Sequence, residues 1–315
     1  MSSTSPRDSR VVAVVVSYNR RDLLREALAA IGNQTVACTL VVVDNGSTDG
    51  SADVAREAAP GADVLELAAN TGGAGGFAVG LRRALESHAA DWVWLMDDDT
   101  IPEPTALEEL LNAATATGAA IAGSRVVWFD GSEHPMNTPR PRPLDSRARR
   151  DAAAAQGCLS VRSSSFVSML VAADAVAEEG FPVADYFIWN DDFEFSTRVL
   201  RSRLGLHVPA SVVVHKTVKL GATDVDPGER FYYEVRNKVW MLRRSRSLGA
   251  VEKALYGASS LARWGRTYAR SEDRTVLRSA GARGWRDGWR TDPRPNDEVL
   301  AGVTGSGQTD GTSDD

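Results

Sequence analysis

The amino-acid sequence predicts an α/β protein with a doubly wound, mainly parallel sheet and a helical extension at the C-terminus. Residues 11–16, VVAVVV, form a β-branched run without a polar face, which is typical of a parallel strand covered on both sides. Short apolar runs then alternate with helical patterns as far as residue 97, an order that produces right-handed crossovers. An apolar content of 43% in 315 residues is ample for a large core.

The first half of the chain predicts strands and helices in turn. After the first strand, apolar residues recur at helical spacing at positions 23, 24, 27, 28 and 31. A second strand, TLVVVD, stops in the turn residues NGSTDG. We then expect a helix near residues 52–58, a strand near 63–67, a glycine-rich loop in NTGGAGGFAVG that leads into a helix ending at His88, and the strand DWVWLM.

The second half is less regular. A helix is predicted near residues 104–116 and a strand near 120–128. The proline- and arginine-rich residues 130–150 are interpreted as an ordered loop or partial lid. Mixed α/β structure resumes near 161–171, and a turn and a helix follow in YFIWNDDFEFSTRVLRSRLG. The strand SVVVH ends at His215, and residues 250–290 are predicted to be helical.

Composition divides the chain into four parts. We expect a flexible N-terminus over residues 1–9, an α/β domain over 10–228, a basic helical region over 229–290 and a disordered acidic tail over 291–315. From Arg230 to Arg290 there are fifteen Lys and Arg against five Asp and Glu, although the whole chain has a net charge of −6. The basic region would suit an anionic lipid or phosphate surface.

Targeting signals and cysteine usage indicate the compartment. No apolar run reaches the 18 residues of a membrane span, and the start, MSSTSPRDSR, lacks the apolar stretch of a secretory signal. Cys38 and Cys158 are far apart and form no CxxC motif, which argues against a disulfide framework or a zinc site. We therefore expect a cytoplasmic protein with two buried thiols.

Three consecutive carboxylates, Asp97, Asp98 and Asp99, follow the strand DWVWLM. Their repulsion must be relieved by solvent, protonation or a cation, and a divalent metal would relieve it. Side chains two residues apart project similarly, so Asp97 and Asp99 should face one crevice while Asp98 points elsewhere. Such oxygen ligands suit Mn²⁺ or Mg²⁺, and His215 at another strand end is a candidate third ligand that favours Mn²⁺. An acidic helix-capping turn and a structural histidine are the alternatives.

The predicted strand order brings polar segments to one edge of the sheet, where ligands bind in parallel α/β folds. These segments are residues 17–19, 44–47, 70–76 and 97–99. Gly73, Gly75 and Ala78 also satisfy the dinucleotide-binding pattern G-x-G-x-x-A. In that fold the pattern follows the first strand and needs one acid, whereas here it follows the third strand and precedes three acids. An NAD enzyme is therefore the weaker interpretation.

Several segments in this order resemble family 2 glycosyltransferases of the GT-A fold: VSYNR, VVDNGSTDG, NTGGAGGFAVG, WLMDDD, WNDDFEFSTR and the strand that ends at His215. The resemblance covers residues 10–240. NTGGAGGF, MDDD, WNDD and FYYEVRN are most similar to bacterial galactofuranosyl- and rhamnosyltransferases, including enzymes that build cell-wall galactan. It implies that the domain over 10–228 is a GT-A catalytic domain that uses nucleotide-diphospho-sugars.

The resemblance also implies how a donor would bind. Asp44 would contact the nucleoside base, and Ser17 and Asn19 would line the same pocket. Asn70, Gly73 and Gly75 would let the backbone approach the nucleotide sugar closely. Asp97 and Asp99 would hold the metal with His215 beside the donor diphosphate, and Asp98 would also belong to the donor site.

An inverting transfer further requires a carboxylate on the side of the sugar opposite the leaving group. Asp191 would take the proton of the acceptor hydroxyl, and Asp192 would bind the acceptor or support Asp191, although the two roles could be exchanged. Both would equally suit a helix N-terminus. Trp189 would form a wall for the sugar, and His134 is a candidate for substrate contact.

Four residues of one predicted helix are the remaining acceptor-site candidates: Tyr232, Tyr233, Arg236 and Asn237. They would either form an acceptor surface or pack the helix against the domain. The basic, tryptophan-bearing segment after them fits peripheral attachment to a membrane that carries a polyprenyl-diphosphate-linked acceptor.

The leading interpretation is an inverting, metal-dependent hexosyltransferase with Mn²⁺ or Mg²⁺. It would move galactofuranose from UDP-galactofuranose to a lipid-linked cell-wall glycan at the inner face of the plasma membrane, without a nucleic-acid partner. A rhamnosyltransferase that uses dTDP-rhamnose is the alternative. A sugar-nucleotide nucleotidyltransferase would need a glycine-rich basic signature after its first strand, which SYNRRD lacks, and a non-catalytic glycan-binding role is the third possibility.

Overall fold

The structure, a computed structural model, describes residues 9–142, 145–217 and 226–303. Its first half alternates strands and helices: β1 (Val11–Ser17), α1 (Arg21–Gly32), β2 (Thr39–Asp44), α2 (Ser51–Ala58), β3 (Asp63–Glu66), α3 (Gly72–Glu86) and β4 (Trp92–Asp97). The predicted alternation is confirmed. One detail is wrong, because the glycines after Thr71 do not form a loop but are the first turns of α3.

The second half adds shorter elements: β5 (Thr100–Pro102), α4 (Ala106–Thr117), β6 (Ile121–Val127), β7 (Arg140–Pro141), α5 (Arg147–Ala154), β8 (Leu159–Ser163), β9 (Met169–Ala172), α6 (Ala173–Glu179), α7 (Asp191–Val199) and β10 (Gly205–His215). The stretch 130–150, predicted to be a loop or partial lid, contains a 3-10 turn, β7 and the start of α5 in its described part. The strand that ends at His215 is longer than predicted, since it begins at Gly205.

A single sheet connects these strands in the order β3-β2-β1-β4-β9-β6-β10-β8-β7, and β5 pairs with β10. β1, β2, β3, β4, β6 and β10 point in one direction, whereas β5, β8 and β9 run against them. The predicted mainly parallel architecture is thus confirmed. As a consequence, the carboxyl ends of β1, β2, β4 and β10 meet at one edge.

Alternate side chains of β1 pack into two different cores, which explains why VVAVVV has no polar face. Val12, Val14 and Val16 belong to a core shared with α3 and α7. Val11, Ala13 and Val15 belong to a second core shared with α1 and α4. The sheet is therefore covered by helices on both faces, as the sequence predicted.

Glycines of α3 allow this helix to lie close to β1. A Cβ atom at Gly76 would be 2.5 Å from Val16 Cγ1, and one at Gly80 would be 2.3 Å from Val14 Cγ1. Gly72 has φ +70°, and a Cβ there would overlap the carbonyl of Phe187. Most of these glycines are therefore explained by close packing between α3 and its neighbours, and not by the approach of a ligand to the backbone.

The C-terminal region is helical, with α8 (Phe231–Arg244), α9 (Ala250–Arg270), α10 (Arg274–Arg290) and α11 (Asn296–Val299). Helices α8 and α10 lie in close contact, because a Cβ at Gly284 would be only 2.5 Å from the Tyr232 carbonyl oxygen. Within the described residues, no helix combines the length and apolar character that a bilayer crossing requires.

The prediction of a disordered tail from residue 291 is wrong for its described part. Leu300 is buried in the core below α3, and Ala68 N donates to the carbonyl of Val303. Arg294 forms an ion pair with Asp185 at 2.8 Å. The tail is polar on average, but a few of its residues are apolar, and these pack against an apolar surface of the domain. Residues 1–8 of the predicted N-terminal segment and 304–315 of the tail lie outside the described residues.

Candidate active site

A cavity of about 1140 Å³ opens at the carboxyl edge of the sheet. Each of the four polar segments expected at this edge contributes lining residues, among them Tyr18, Asn45, Asn70, Gly73 and Asp97–Asp99. The N-terminus of α7 and one side of α8 complete the wall with Asp191, Asp192, Tyr233, Glu234 and Lys238. The volume is sufficient for a nucleotide sugar together with part of a second substrate.

Asp97, Asp99 and His215 converge as the sequence predicted. One ligand atom from each lies within 4.8 Å of the other two, and His215 Nε2 is 3.2 Å from Asp99 Oδ1. The antiparallel pairing of Thr100 with His215 produces this arrangement by joining β5 to β10. Burial, and then the neighbouring carboxylates, raise the pKa of Asp97 well above its ordinary value.

The donor set of this cluster fits a divalent cation. Two carboxylates and one imidazole are ligands that Mn²⁺ accepts, and the carboxylates alone would also suit Mg²⁺. The cluster faces a cavity, so that substrate oxygens could complete a coordination shell. A divalent cation between Asp97 and Asp99 would also relieve the repulsion between their charges.

Asp98 is not a member of this ligand cluster, although it lines the same cavity. It accepts a hydrogen bond from Tyr18 N at 3.0 Å, and Arg20 approaches it at 3.5 Å. Burial raises the pKa of Asp98 to about 6, although Arg20 opposes this shift. Arg20 also pairs with Asp99. The sequence interpretation missed Arg20, and its signal was a cation next to the end of the first strand.

The residues predicted for the base pocket, Ser17, Asn19 and Asp44, adjoin cavity-lining residues but do not line the described cavity themselves. Ser17 and Asp44 are register partners and are buried. Asn19 Oδ1 accepts from Thr48 N at 2.8 Å and joins the two loops. Burial raises the pKa of Asp44, whose Oδ1 has no hydrogen-bond partner among the described residues.

Asn45, which was not singled out from the sequence, fixes the start of α3. Its Oδ1 accepts from Thr71 N, and its Nδ2 donates to the Gly72 carbonyl, both at 2.9 Å. Asn70 supports the same turn, because its Oδ1 accepts from Gly72 N at 2.7 Å. These bonds leave Gly73 facing the cavity.

The two predicted donor-site glycines have different positions. Gly73 lines the cavity, and a Cβ there would be 3.8 Å from Asp191 Oδ2. Gly75 does not line the cavity in the described structure. A Cβ at Gly75 would be 2.4 Å from Thr71 Cβ, so this glycine serves packing rather than close approach to a ligand.

Asp191 and Asp192 form the first turn of α7 and both line the cavity. Burial, followed by the charge of Asp192, raises the pKa of Asp191 to about 8. Burial also raises the pKa of Asp192, which accepts from Phe193 N at 2.6 Å. Asp191 is close enough to Asp97 for its charge to raise the pKa of that carboxyl.

The loop before α7 has a strained backbone. Phe187, Trp189 and Asn190 all have φ between 63° and 67°, a conformation that costs on the order of 1–3 kcal/mol for each such residue. Asn237 Nδ2 holds the loop by donating to three carbonyls, those of residues 186, 188 and 189, at 2.8–2.9 Å. Trp189 lines the cavity at this point.

Two of the predicted acceptor-site residues therefore have a different position. Asn237 is fully buried, and Arg236 donates to the Asp185 carbonyl at 2.6 Å. Both hold the loop before α7 instead of lining the described cavity. The sequence showed that they share a helix but could not show that this loop crosses it.

The other acceptor-site candidates also occupy different positions, and only some of them line the cavity. Tyr233 lines the cavity and stacks on Phe187 with ring centroids 5.2 Å apart. Tyr232 faces α10, where its hydroxyl is 3.2 Å from Asp287. His134 is buried behind His215, with ring centroids 4.7 Å apart, and its Nε2 is 3.0 Å from Thr217 Oγ1. His134 supports the His215 ring and lies outside the lining of the cavity, contrary to expectation.

The architecture is that of GT-A glycosyltransferases. Staphylococcus aureus TarS 1–349 in complex with UDP-GlcNAc superposes with a TM-score of 0.60 at 16% identity, covering 92% of this chain and 84% of that chain. The mannosyltransferase PcManGT from Pyrobaculum calidifontis, in complex with GDP-Man and Mn²⁺, gives a TM-score of 0.53 at 18% identity over 87% and 79%. At these identities the likeness shows the fold.

The chain belongs to glycosyl transferase family 2, whose model matches residues 12–171. It is 34% identical over 255 residues to the galactofuranosyltransferase GlfT1 of Mycobacterium tuberculosis, a match that spans 74% of this chain and 82% of the relative. It is 37% identical over 205 residues to GlfT1 of Mycolicibacterium smegmatis, over 62% of this chain and 66% of the relative, just under two thirds of its length. The protein is therefore a glycosyltransferase.

Proposed function

We propose that the protein is an inverting, metal-dependent galactofuranosyltransferase that transfers galactofuranose from UDP-galactofuranose to a lipid-linked cell-wall glycan. The observation that carries the proposal is the convergence of the Asp97–Asp99–His215 cluster and Asp191 in one cavity. The name of the mycobacterial relatives favours galactofuranose over rhamnose as the transferred sugar.

Asp97, Asp99 and His215 would hold Mn²⁺ or Mg²⁺. A divalent cation bound there would supply Lewis-acid stabilisation of the departing nucleoside diphosphate. The chain's own contribution is to hold His215 beside Asp99, which the pairing of β5 with β10 achieves. The Mn²⁺ complex of the Pyrobaculum mannosyltransferase supports this proposal by analogy of fold.

Asp191 would act as the general base. Its raised pKa of about 8 makes its carboxylate a stronger base than an ordinary aspartate, which favours removal of a proton from an acceptor hydroxyl. Asp192 would position the acceptor or Asp191. The rings of Trp189 and Tyr233, which line the same cavity, would form a wall for the sugar. Gly73 leaves room beside Asp191 for the reacting groups.

The loops after β1 and β2 would bind the nucleoside. Asp44 Oδ1 is a buried acceptor without a partner among the described residues, and an N–H group of a pyrimidine base would satisfy it. Ser17 and Asn19 are held beside Asp44 by the register of β1 and β2 and by the Asn19–Thr48 hydrogen bond.

The C-terminal helices would attach the enzyme to the cytoplasmic face of the membrane. Helix α9 exposes Val251, Leu255 and Leu261 by 58–71%, and α10 exposes Trp285 and Trp289 by about half. These apolar side chains lie in the region with the large excess of Lys and Arg. Such a combination favours binding to an anionic lipid surface.

Co-sedimentation with liposomes tests this attachment. We expect binding to vesicles that contain phosphatidylglycerol, weaker binding at high salt, and a loss of binding in Leu255→Glu. Phe129→Glu is the matched control, because Phe129 is equally exposed but lies outside the basic region. Equal binding to vesicles with and without anionic lipid, or no binding at all, would contradict the membrane proposal.

A donor screen tests the transferase proposal itself. Purified protein with Mn²⁺ should release UDP from UDP-galactofuranose and should act far more slowly on dTDP-rhamnose. Calorimetry should show UDP binding that depends on Mn²⁺ and that is lost in Asp99→Asn. Turnover of dTDP-rhamnose alone would mean that the transferred sugar is rhamnose instead of galactofuranose. UDP binding that depends on neither Mn²⁺ nor Asp99 would refute the metal site.

A further inference from the structure

A second charged cluster lines the cavity beyond Asp192. Lys238 of α8 and Arg140 of β7 approach the same ring, that of Phe193. The Lys238 ammonium is 4.7 Å from its centroid, and the Arg140 guanidinium carbon is 5.1 Å from it. Both side chains line the cavity. Two cations on one aromatic ring repel each other, so an additional partner would stabilise them.

Lys238 is the more unusual of the two. Its side chain is buried, with 4% of its surface exposed, yet within the described ranges its ammonium makes no hydrogen bond and no ion pair. Glu234, one turn earlier, is already engaged by Asn190 at 2.9 Å, by Trp264 Nε1 at 3.0 Å and by Arg263. A buried ammonium without a hydrogen bond is unfavourable, and the acceptor oxygens of a ligand would satisfy it.

The position of this cluster decides which substrate it meets. The charge of Asp191 raises the pKa of Asp97, whereas the charge of Asp192 raises the pKa of Lys238. Lys238 and Arg140 lie against Phe193, which follows Asp192 at the start of α7, and neither belongs to the metal-ligand cluster. A donor diphosphate belongs with the metal ligands, so an anion at Lys238 would come from the other substrate.

We propose that Lys238 and Arg140 form an anion subsite that receives a phosphate group of the acceptor, on the side of Asp191 opposite the donor. This inference rests on the proposed glycosyl transfer. Arg and Lys together provide a planar fork and a point charge, a combination that suits phosphate oxygens. A fixed phosphate would set the distance between the anchored end of the acceptor and the hydroxyl that reaches Asp191.

The surrounding charges leave room for such an anion. Asp192 and Glu234 face Lys238 with negative charge, while Arg140 and Arg263 face it with positive charge. Burial lowers the pKa of Lys238 to about 8, so the ammonium is still mostly protonated at neutral pH. Phosphate binding should therefore weaken as the pH rises above about 8.

The test uses the full chain with saturating UDP and Mn²⁺, so that the metal-ligand cluster is occupied. The probe is citronellyl phosphate, a short prenyl phosphate, and citronellol is its neutral counterpart. Calorimetry should show that the phosphate binds more tightly than the alcohol by on the order of tenfold or more. Lys238→Met and Arg140→Gln should each reduce that preference.

Lys253→Met is the matched control, because Lys253 lies on α9 and is not a lining residue in the described cavity. It should keep the full preference. Should Lys238→Met fail to fold, Arg140→Gln still tests the proposal, since Arg140 is exposed. An unchanged preference in Arg140→Gln and in any folded Lys238→Met refutes the subsite. If inorganic phosphate binds as tightly as the prenyl phosphate in a competition experiment, the site recognises phosphate alone. That result would refute the assignment of the subsite to the acceptor.

The two proposals fail in different ways. Donor hydrolysis is measured on the same wild-type preparation with UDP-galactofuranose and dTDP-rhamnose. Absence of hydrolysis of both donors would refute the proposed transfer, and with it the assignment of the bound phosphate to an acceptor. Normal hydrolysis together with equal affinity for phosphate and alcohol would refute only the subsite.

Discussion

At the scale of single residues, burial of carboxylates determines the chemistry of the site. Asp97 and Asp191 both have raised pKa values, and burial is the largest cause for each. Their neighbours differ, because Asp97 lies beside a histidine and another carboxylate that can share a cation, whereas Asp191 lies at a helix N-terminus. This difference supports the proposed roles of Asp97 as a metal ligand and of Asp191 as the base.

Asp191→Asn tests the assignment of the base. The amide preserves the size of the side chain but cannot accept a proton, so we expect kcat to fall by about 10²–10⁴-fold. Nucleotide affinity, measured by UDP titration, should stay nearly unchanged. Asp192→Asn is the comparison and should lower kcat less. The reverse ranking would exchange the roles of the two aspartates, and unaltered turnover in Asp191→Asn would exclude it from the mechanism.

The raised pKa of Asp191 also predicts how stability depends on pH. The folded protein holds this proton up to about pH 8, whereas the unfolded chain releases it near the ordinary value of 3.8. The stabilisation from the protonated carboxyl is thus complete below pH 3.8 and is lost as the pH rises through about 8. In urea unfolding, the wild-type protein should lose stability relative to Asp191→Asn as the pH rises across this window. If the unfolding free energies of the two proteins change in parallel with pH, the raised pKa of Asp191 is contradicted.

The same shift predicts the pH profile of activity. Asp191 accepts a proton only when ionised, so kcat/KM should increase with pH and level off above about 8. Initial rates of sugar transfer across this range provide the measurement. A rate that is already maximal in acid would mean that Asp191 is not the base.

At the scale of elements, the position of α7 depends on α8. The strained residues before α7 remain in place because Asn237 satisfies three carbonyls of that loop. Glu234 adds a further contact to Asn190. Since α7 carries both candidate catalytic carboxylates, α8 indirectly determines their direction.

Helix α3 provides an element-scale prediction. In Gly80→Ala the new methyl group would be 2.3 Å from Val14 Cγ1 and 3.1 Å from Val43 Cγ2, so we expect a loss of about 1–3 kcal/mol in the free energy of unfolding. Gly265→Ala in α9 is the control, because no atom lies within 4 Å of the position that its methyl group would take. It should gain about 0.5–1 kcal/mol from helix propensity. Equal effects in denaturant titrations would contradict the close packing of α3 on β1.

At the scale of the whole molecule, the C-terminal region is joined to the α/β domain by buried contacts. Arg162 of β8 is almost fully buried and bonds Glu252 of α9 at 2.7 Å. It also donates to the carbonyls of Thr197 in α7 and Ser247 before α9. One guanidinium thus connects the sheet, helix α7 and the C-terminal helices.

Leu300 tests the packing of the C-terminal segment. It is 8% exposed and lies in the same core as Leu67 and Ala78, so Leu300→Ala should cost about 2–3 kcal/mol of unfolding free energy. Leu255→Ala is the control, because that side chain is 63% exposed and its loss should change stability by less than about 0.5 kcal/mol. Thermal or urea unfolding measures both, and equal stability of the two variants would contradict the packing of residue 300.

The sequence by itself determined the alternation of strands and helices, the edge at which the polar segments meet, and the convergence of Asp97, Asp99 and His215. Side-chain periodicity and the ends of apolar runs are local signals, and the parallel order of strands converts them into a shared edge. Only the tertiary structure decided that Asn237 holds a loop, that His134 supports His215, that the Lys238 ammonium is buried without a hydrogen bond within the described residues, and that Leu300 is part of the core. These facts depend on contacts between elements distant in sequence, and residue type and spacing do not encode which surface an element will meet.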